Sequence, residues 1–217
     1  MPFSVPRLCL IAYGVIWVAS GLDPRYRADW VLENLPTVVV VPVVVVLHQR
    51  IGFSDRACVQ ALLFGILHAV GSHYTYSEVP LGDWLRDAFG LQRNHYDRLV
   101  HFAFGVLALR PLRELAFPAG ARLGQRRELL LTVTTVVSLS VAYEIVEWLV
   151  ASVADPAAGT AFLGTQGDQW DAQKDMALAV VGAVLALLPE SRPRGSQAAV
   201  HPRFQLVTRH RPRRAGG

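Results

Sequence analysis

Apolar residues are grouped along this chain in blocks of about 15–20, close to the length that crosses a hydrocarbon core roughly 30 Å thick. Polar residues gather between the blocks. The pattern predicts six helices, at 6–20, 30–47, 57–73, 96–115, 128–152 and 170–188. The first opens at Pro6, a favourable first-turn residue. The second holds Pro36 and Pro42, which predicts a kink. Its valine runs, 38–41 and 43–46, would suit strands in water. A lone strand in lipid leaves its backbone groups unpaired, so a helix is expected there. In the fourth, only 99–109 is cleanly apolar before Arg110-Pro111. The expected fold class is all-α, a polytopic membrane helical bundle of about six transmembrane helices. It forms one domain, 1–188, followed by an Arg-rich tail, 189–217, expected to be disordered.

Composition agrees with the pattern. The chain is 52% hydrophobic, with a mean hydropathy of +0.31. The first apolar block ends in Gly21-Leu22-Asp23-Pro24 without a small-x-small cleavage site, so it is expected to remain as a helix. Cys9 and Cys58 lie in or beside spans, and their spacing makes neither a disulfide framework nor a zinc motif.

Charge then sets an expected orientation. With the N-terminus, loop 48–56, loop 110–128 and the tail on one side, that side holds 15 of the 21 Arg and Lys but only 4 of the 17 acids. The positive-inside rule makes it cytoplasmic. The expected location is therefore the bacterial inner membrane, multi-pass, with both termini in the cytoplasm. The basic balance belongs to these Arg-rich ends and predicts no nucleic-acid partner. Membrane lipids are the expected partners, and the tail is suited to anionic headgroups or to service as a topology signal.

Against this apolar background several ionisable residues stand out. Glu144 and Glu147 lie inside a block long enough to span, where a carboxylate costs several kcal/mol unless it finds a partner, a proton or a polar cavity. At 1.5 Å per residue, His101 and Asp97 stand about 14 and 20 Å from Arg110. Glu144 and Glu147 stand about 24 and 28 Å from Glu128. Asp175 and Asp171 stand about 21 and 27 Å from Pro189, and His68 and His73 about 18 and 25 Å from Arg56. Four helices thus bring acids or imidazoles to the outer half of the bilayer. Asp97 and His101 are i,i+4 and share a face. Glu144 and Glu147 are i,i+3, with Tyr143 beside them and Ser140 extending their face. Asp168, Asp171 and Asp175 continue through Ala179, Gly182 and Ala186, a small-residue stripe suited to close helix packing. Asp97, His101, Glu144 and Asp175 are expected to surround one cavity, with side chains mostly within about 8 Å, the reach of direct or one-water contacts. His68 or His73 is expected to approach it. Trp84, Trp148 and Trp170 suit an interfacial aromatic belt.

Three stretches carry a resemblance. They are His73-Tyr74-Thr75-Tyr76 leading to Val79-Pro80-Leu81-Gly82-Asp83-Trp84; Arg93-Asn94-His95-Tyr96-Asp97-Arg98-Leu99-Val100-His101-Phe102; and Tyr143-Glu144-Ile145-Val146-Glu147-Trp148 followed by residues 162–176. In order and spacing they resemble the YjdF-like family of bacterial inner-membrane proteins, from about residue 8 to 188. The resemblance implies location and fold and assigns no reaction. More loosely, Asp97-Arg98-x-x-His101-Phe102, a later Glu and a late Asp are similar to the VanZ-like membrane proteins, linked to the cell envelope and glycopeptide tolerance. This chain lacks the Arg that the VanZ-like pattern has between its Glu and the Asp of the last helix.

These features leave several functions open. The first is an intramembrane enzyme acting on a lipid-linked or cell-envelope substrate. Asp97, His101, Glu144, Glu147 and Asp175 would be its catalytic candidates, working as acid and base. A divalent metal is a candidate cofactor, with His73, His101, Glu144 and Asp175 as ligands; mixed imidazole and carboxylate donors suit zinc, manganese or iron. His68, Tyr143, Asp168 and Asp171 would complete the polar site. The second is a proton-coupled transporter or channel, since intramembrane carboxylates beside histidine are proton-relay parts. No internal repeat of the transporter kind is evident. The third is a structural or partner-binding membrane protein whose polar network sets helix packing. Haem held by His68 and His101 is a fourth, with a Soret band as its signature.

Overall fold

The computed structural model describes residues 4–118, 124–153, 159 and 162–190. Seven helices of ten residues or more lie among them: α1 (Val5–Leu22), α2 (Arg27–Ile51), α3 (Asp55–Tyr74), α4 (Pro80–Phe89), α5 (Tyr96–Ala116), α6 (Gln125–Val153) and α7 (Asp171–Glu190). A 3-10 turn, Tyr76–Glu78, precedes α4. The six long helices match the six expected blocks, with ends up to a turn longer. The tail beyond residue 190 lies outside the described residues.

Helices α1, α2, α3 and α6 are long and apolar enough to cross a membrane. The other two long helices carry more charge and form the packed centre. α7 lies along α5, and α3 and α6 flank the pair. The arrangement inverts a water-soluble protein. Val15, Val38, Val39, Leu130 and Val181 face outward, while Asp175, Thr132, Ser140 and His101 are buried. Hydrocarbon is a solvent that accepts exposed valine, so polar groups collect where helices can satisfy one another.

The small-residue stripe does what its sequence suggests. A Cβ at Gly105 would lie 2.1 Å from the Ala179 carbonyl oxygen, and one at Gly182 would lie 2.2 Å from that of Phe102. Here α5 and α7 meet backbone to backbone, which only glycine permits. Ala179 and Ala183 are fully buried in the same seam. Leu109, Val136, Ala183 and Ala186 form the apolar core below it.

One expectation needs correction. Residues 74–95, where no helix was expected between the blocks at 57–73 and 96–115, hold α4 as well as the 3-10 turn. Pro80 opens α4 and Gly90, at φ 63°, closes it with a left-handed cap. Ten residues are too few to stand out beside spans of twenty, so the segment was legible only as a connection. The helix expected over 96–115 runs through Pro111 to Ala116, because a proline this near the C-terminal end removes little of the ladder. α2 is a single helix that contains both Pro36 and Pro42.

Two ends of the bundle can be distinguished. One carries residues 52–54, 117, 118 and 124, where Arg113 reaches Glu128 at 3.3 Å and Ser54 donates to Glu114 from its amide and hydroxyl at 2.8 and 2.6 Å. The other carries α4, residues 91–95 and residues 162–170, and is termed here the loop-rich end. The polar residues singled out by the sequence lie toward this end.

Candidate functional site

Helix α5 begins at a built corner. Asn94 is fully buried. Its side-chain amide donates to the Val79 carbonyl and Asp83 Oδ1, both at 3.0 Å, while its Oδ1 accepts from the Tyr96 amide at 3.0 Å. Gly82 leaves room for it; a Cβ there would sit 1.8 Å from Asn94 Oδ1. The Gln166 side chain meets the Asn94 backbone with two hydrogen bonds of 2.9 Å. One asparagine thereby ties α4, α5 and the 162–170 segment together and sets where α5 starts.

Beside this corner lies a basic clamp that sequence reasoning missed. The buried Arg93 guanidinium pairs with both oxygens of Asp171 and donates to the carbonyls of Gly164 and Thr165 at 3.2 and 3.0 Å. Arg98 reaches Asp168 at 2.5 Å and Asp171 at 3.1 Å. Lys174 pairs with Asp168 at 2.6 Å. Asp168 and Asp171, expected at an interior polar site, are therefore committed to the clamp, and Lys174 attends Asp168. Lys174, the Trp170 backbone N–H and Arg98 together hold the Asp168 carboxyl well below the usual carboxylate range. His95 is held below its ordinary range by partial burial and by Arg98 and Arg93.

With Asp168 and Asp171 neutralised by the clamp, Asp97 and Asp175 are left facing the bundle interior. One ligand atom from each of Asp97, His101 and Asp175 falls within 4.8 Å of the other two. His101 Nε2 stands 3.6 Å from Asp97 Oδ1, as one helical turn allows, and 3.3 Å from Glu144 Oε1 on α6. Asp175 is 2% exposed, and its Oδ1 has no hydrogen-bond partner among the described residues; neither does Glu144 Oε1. Ser140 Oγ, one turn from Glu144, is buried in the same condition. Glu147 lies beside Glu144 and within electrostatic reach of Asp97, Asp175 and Glu33. Tyr143 donates to Glu33 Oε2 at 3.0 Å, and its ring stands 6.3 Å from that of His101. Three helices thus converge as the depth estimates predicted.

The third helix does not join them. His73 donates from Nδ1 to the Ser20 carbonyl at 2.9 Å, pinning the end of α1 to α3. It is not among the ligating group, which corrects its placement as a metal ligand. His68 has the Tyr76 hydroxyl 2.6 Å from Nδ1 and the Thr37 hydroxyl 3.2 Å from Nε2. With both ring nitrogens engaged, it is a poor partner for His101 across a haem. Glu33 was missed because it sits near the end of an otherwise apolar block.

The chain matches, over residues 5–193, the family described as "Predicted membrane protein (DUF2238)". The match covers every helix above. The chain belongs to the DUF2238 family. It is also 31% identical over 194 residues to the inner membrane protein YjdF of Escherichia coli (strain K12), spanning 89% of this chain and 91% of that protein. No solved structure matches. The YjdF-like resemblance of the sequence motifs is thereby established, and this DUF2238 member is a membrane protein. Arg93, Asn94, Asp97, His101, Glu144, Glu147, Asp171 and Asp175 all lie within the matched span.

Proposed function

We propose that this protein is an intramembrane enzyme that holds a divalent cation between α5, α6 and α7 and acts on a lipid-linked or cell-envelope substrate. One observation carries the reading. Asp97, His101 and Asp175 each bring one ligand atom within 4.8 Å of the other two, and Asp175, itself buried, has a carboxylate oxygen, Oδ1, with no hydrogen-bond partner among the described residues. Unpaired buried carboxylate oxygens are costly, and a cation answers that cost. Glu144, 3.3 Å from His101, supplies a fourth donor or a general base. One imidazole with carboxylates suits zinc, manganese or iron(II). Such an ion would supply Lewis acidity toward a carbonyl or phosphoryl oxygen, and Glu147 is placed to hold or pass a proton beside Glu144. The clamp of Arg93 and Arg98 fixes the segment before α7 and so positions Asp175.

The Arg asymmetry supports placing both termini in the cytoplasm, which puts the loop-rich end and the cation site in the outer half of the bilayer. Substrates of the envelope would reach the site from that side.

The test is metal analysis of detergent-purified protein. Wild type is expected to carry a stoichiometric divalent ion, and Asp175→Asn and His101→Ala to lose it while eluting as wild type on gel filtration. Wild type that neither holds nor takes up zinc, manganese or iron(II) would sink the cation reading. For the reaction, proteoliposomes containing envelope lipids are compared by mass spectrometry. A product made by wild type and not by Asp175→Asn supports the enzyme. Proton flux without any lipid product would favour the transporter instead.

A further inference from the structure

Between α2 and α6 lies a cavity of about 370 Å³ that the cation site does not use. Leu35, Pro36, Val39 and Val40 wall it on α2, and Val146 and Val150 on α6. Its polar lining comes from Tyr143 and Glu147. The two helices do not pack closely on one another here. Each lies against the α3–α5–α7 core instead, and the Tyr143–Glu33 hydrogen bond links them across the gap. The rim is continuous with the outward apolar surface: Leu35 is 55% exposed and Val39 64%. The inner end is Glu147, which is 9% exposed and within electrostatic reach of Asp97, Glu144 and Asp175.

We infer that this cavity is a lateral portal that seats one hydrocarbon chain of a bilayer lipid and brings its polar end to Glu147. The occupant follows from the surroundings. In a membrane protein the exposed valines of α2 face acyl chains, so the medium at the rim is lipid. A wall of valine, leucine and proline offers water no hydrogen bonds, and a wet cavity needs polar partners. The volume falls in the range of small-ligand sites, roughly 300–1,000 Å³. The inner end offers Glu147 and Tyr143, with Glu33 behind, so it complements a hydrogen-bond donor or a cationic amine. The portal deepens the enzyme proposal by naming how a lipid-linked substrate would arrive, yet its occupancy is measured independently of any metal.

The experiment uses wild-type protein in vesicles of phosphatidylethanolamine and phosphatidylglycerol. A trace of phosphatidylethanolamine carries a photoactivatable diazirine on one acyl chain. After irradiation, labelled residues are mapped by mass spectrometry. Val146 and Val150 on the cavity wall are expected to be labelled well above Val15 and Val18 on α1, which also face outward and report the surrounding lipid. Val39→Trp, which fills the cavity, is expected to cut the labelling of Val146 about tenfold, a loss of about 1.4 kcal/mol in lipid binding. Labelling on α1 should stay as it is. Equal labelling of the cavity and α1 in wild type would overturn the proposal without any variant, and so would insensitivity to a folded Val39→Trp. Labelling of the cavity in His101→Ala protein lacking metal keeps the portal even if the cation site fails.

Discussion

At the scale of single residues, the site depends on groups that never touch a ligand. Arg93 satisfies Asp171 and two carbonyls at once, in a buried setting. Removing Arg93 leaves Asp171 to Arg98 alone and takes a donor from two carbonyls, at a cost of about 1–3 kcal/mol for each buried group left unsatisfied. Arg93→Ala should therefore lower the thermal unfolding midpoint in detergent sharply. Arg93→Lys, which keeps the charge but loses the planar fork, should recover only part of the loss. Asp168 makes a pH prediction whose sign is set by its partners. Its carboxyl is held below the ordinary range by Lys174, the Trp170 N–H and Arg98. A group depressed in the folded state stabilises fully above its unfolded value, about 3.9 for Asp, and loses that contribution as pH falls through the folded value. The midpoint difference between wild type and Asp168→Asn should thus stay level from pH 7 to about 5 and shrink only in stronger acid. A difference that vanished by pH 5 would mean the clamp does not hold Asp168.

At the scale of elements, the seam between α5 and α7 decides the geometry of the site. Asp97 and His101 ride on one helix and Asp175 on the other, so any change in helix separation moves donor from donor. A methyl at position 182 would lie 2.2 Å from the Phe102 carbonyl oxygen, which belongs to backbone and cannot swing away. Gly182→Ala is expected to destabilise by about 1–3 kcal/mol, the usual range for overpacking, and to lower the affinity for the cation as well. Gly14→Ala on α1 is the control. Among the described residues nothing beyond the local backbone of α1 and its chain neighbours lies within 4 Å of the position its Cβ would take, and alanine favours helix there. Thermal melts with and without added metal separate the two effects. Equal behaviour of both variants would show that the close approach is not what holds the site.

At the scale of the whole molecule, the bundle is polar inside and apolar outside, and its charges are divided unevenly between its ends. The end that bears residues 52–54, with Arg113 and Glu128, joins the Arg-rich side of the sequence. A reporter fused after Gly217 should be active only in its cytoplasmic form, and a reporter inserted between Gly90 and Leu91 only in its external form. Activity in the opposite formats would place the cation site in the inner half of the bilayer and with it the expected side of substrate entry.

The class of protein, the six long helices and the pairing of Asp97 with His101 were legible in the sequence because each follows from local rules. Span length follows from hydrocarbon thickness, and i,i+4 neighbours meet on any helix. Depth was legible for the same reason, so Asp97, His101, Glu144 and Asp175 were rightly expected near one level. The small-residue stripe of α7 also announced a close neighbour, though not that Gly105 of α5 would complete it. Azimuth and partner choice were decided by the tertiary structure. Rise along a helix gives height but not the direction in which one helix faces another, so His68 and His73 at suitable depths turned to Tyr76, Thr37 and Ser20. Asp97, Glu144, Glu147, Asp168, Asp171 and Asp175 were all available to Arg93 and Arg98, and charge alone does not choose among them. The corner built on Asn94 does: it brings residues 164–171 against the start of α5, gives Asp168 and Asp171 to the arginines, and leaves Asp97 and Asp175 to face His101.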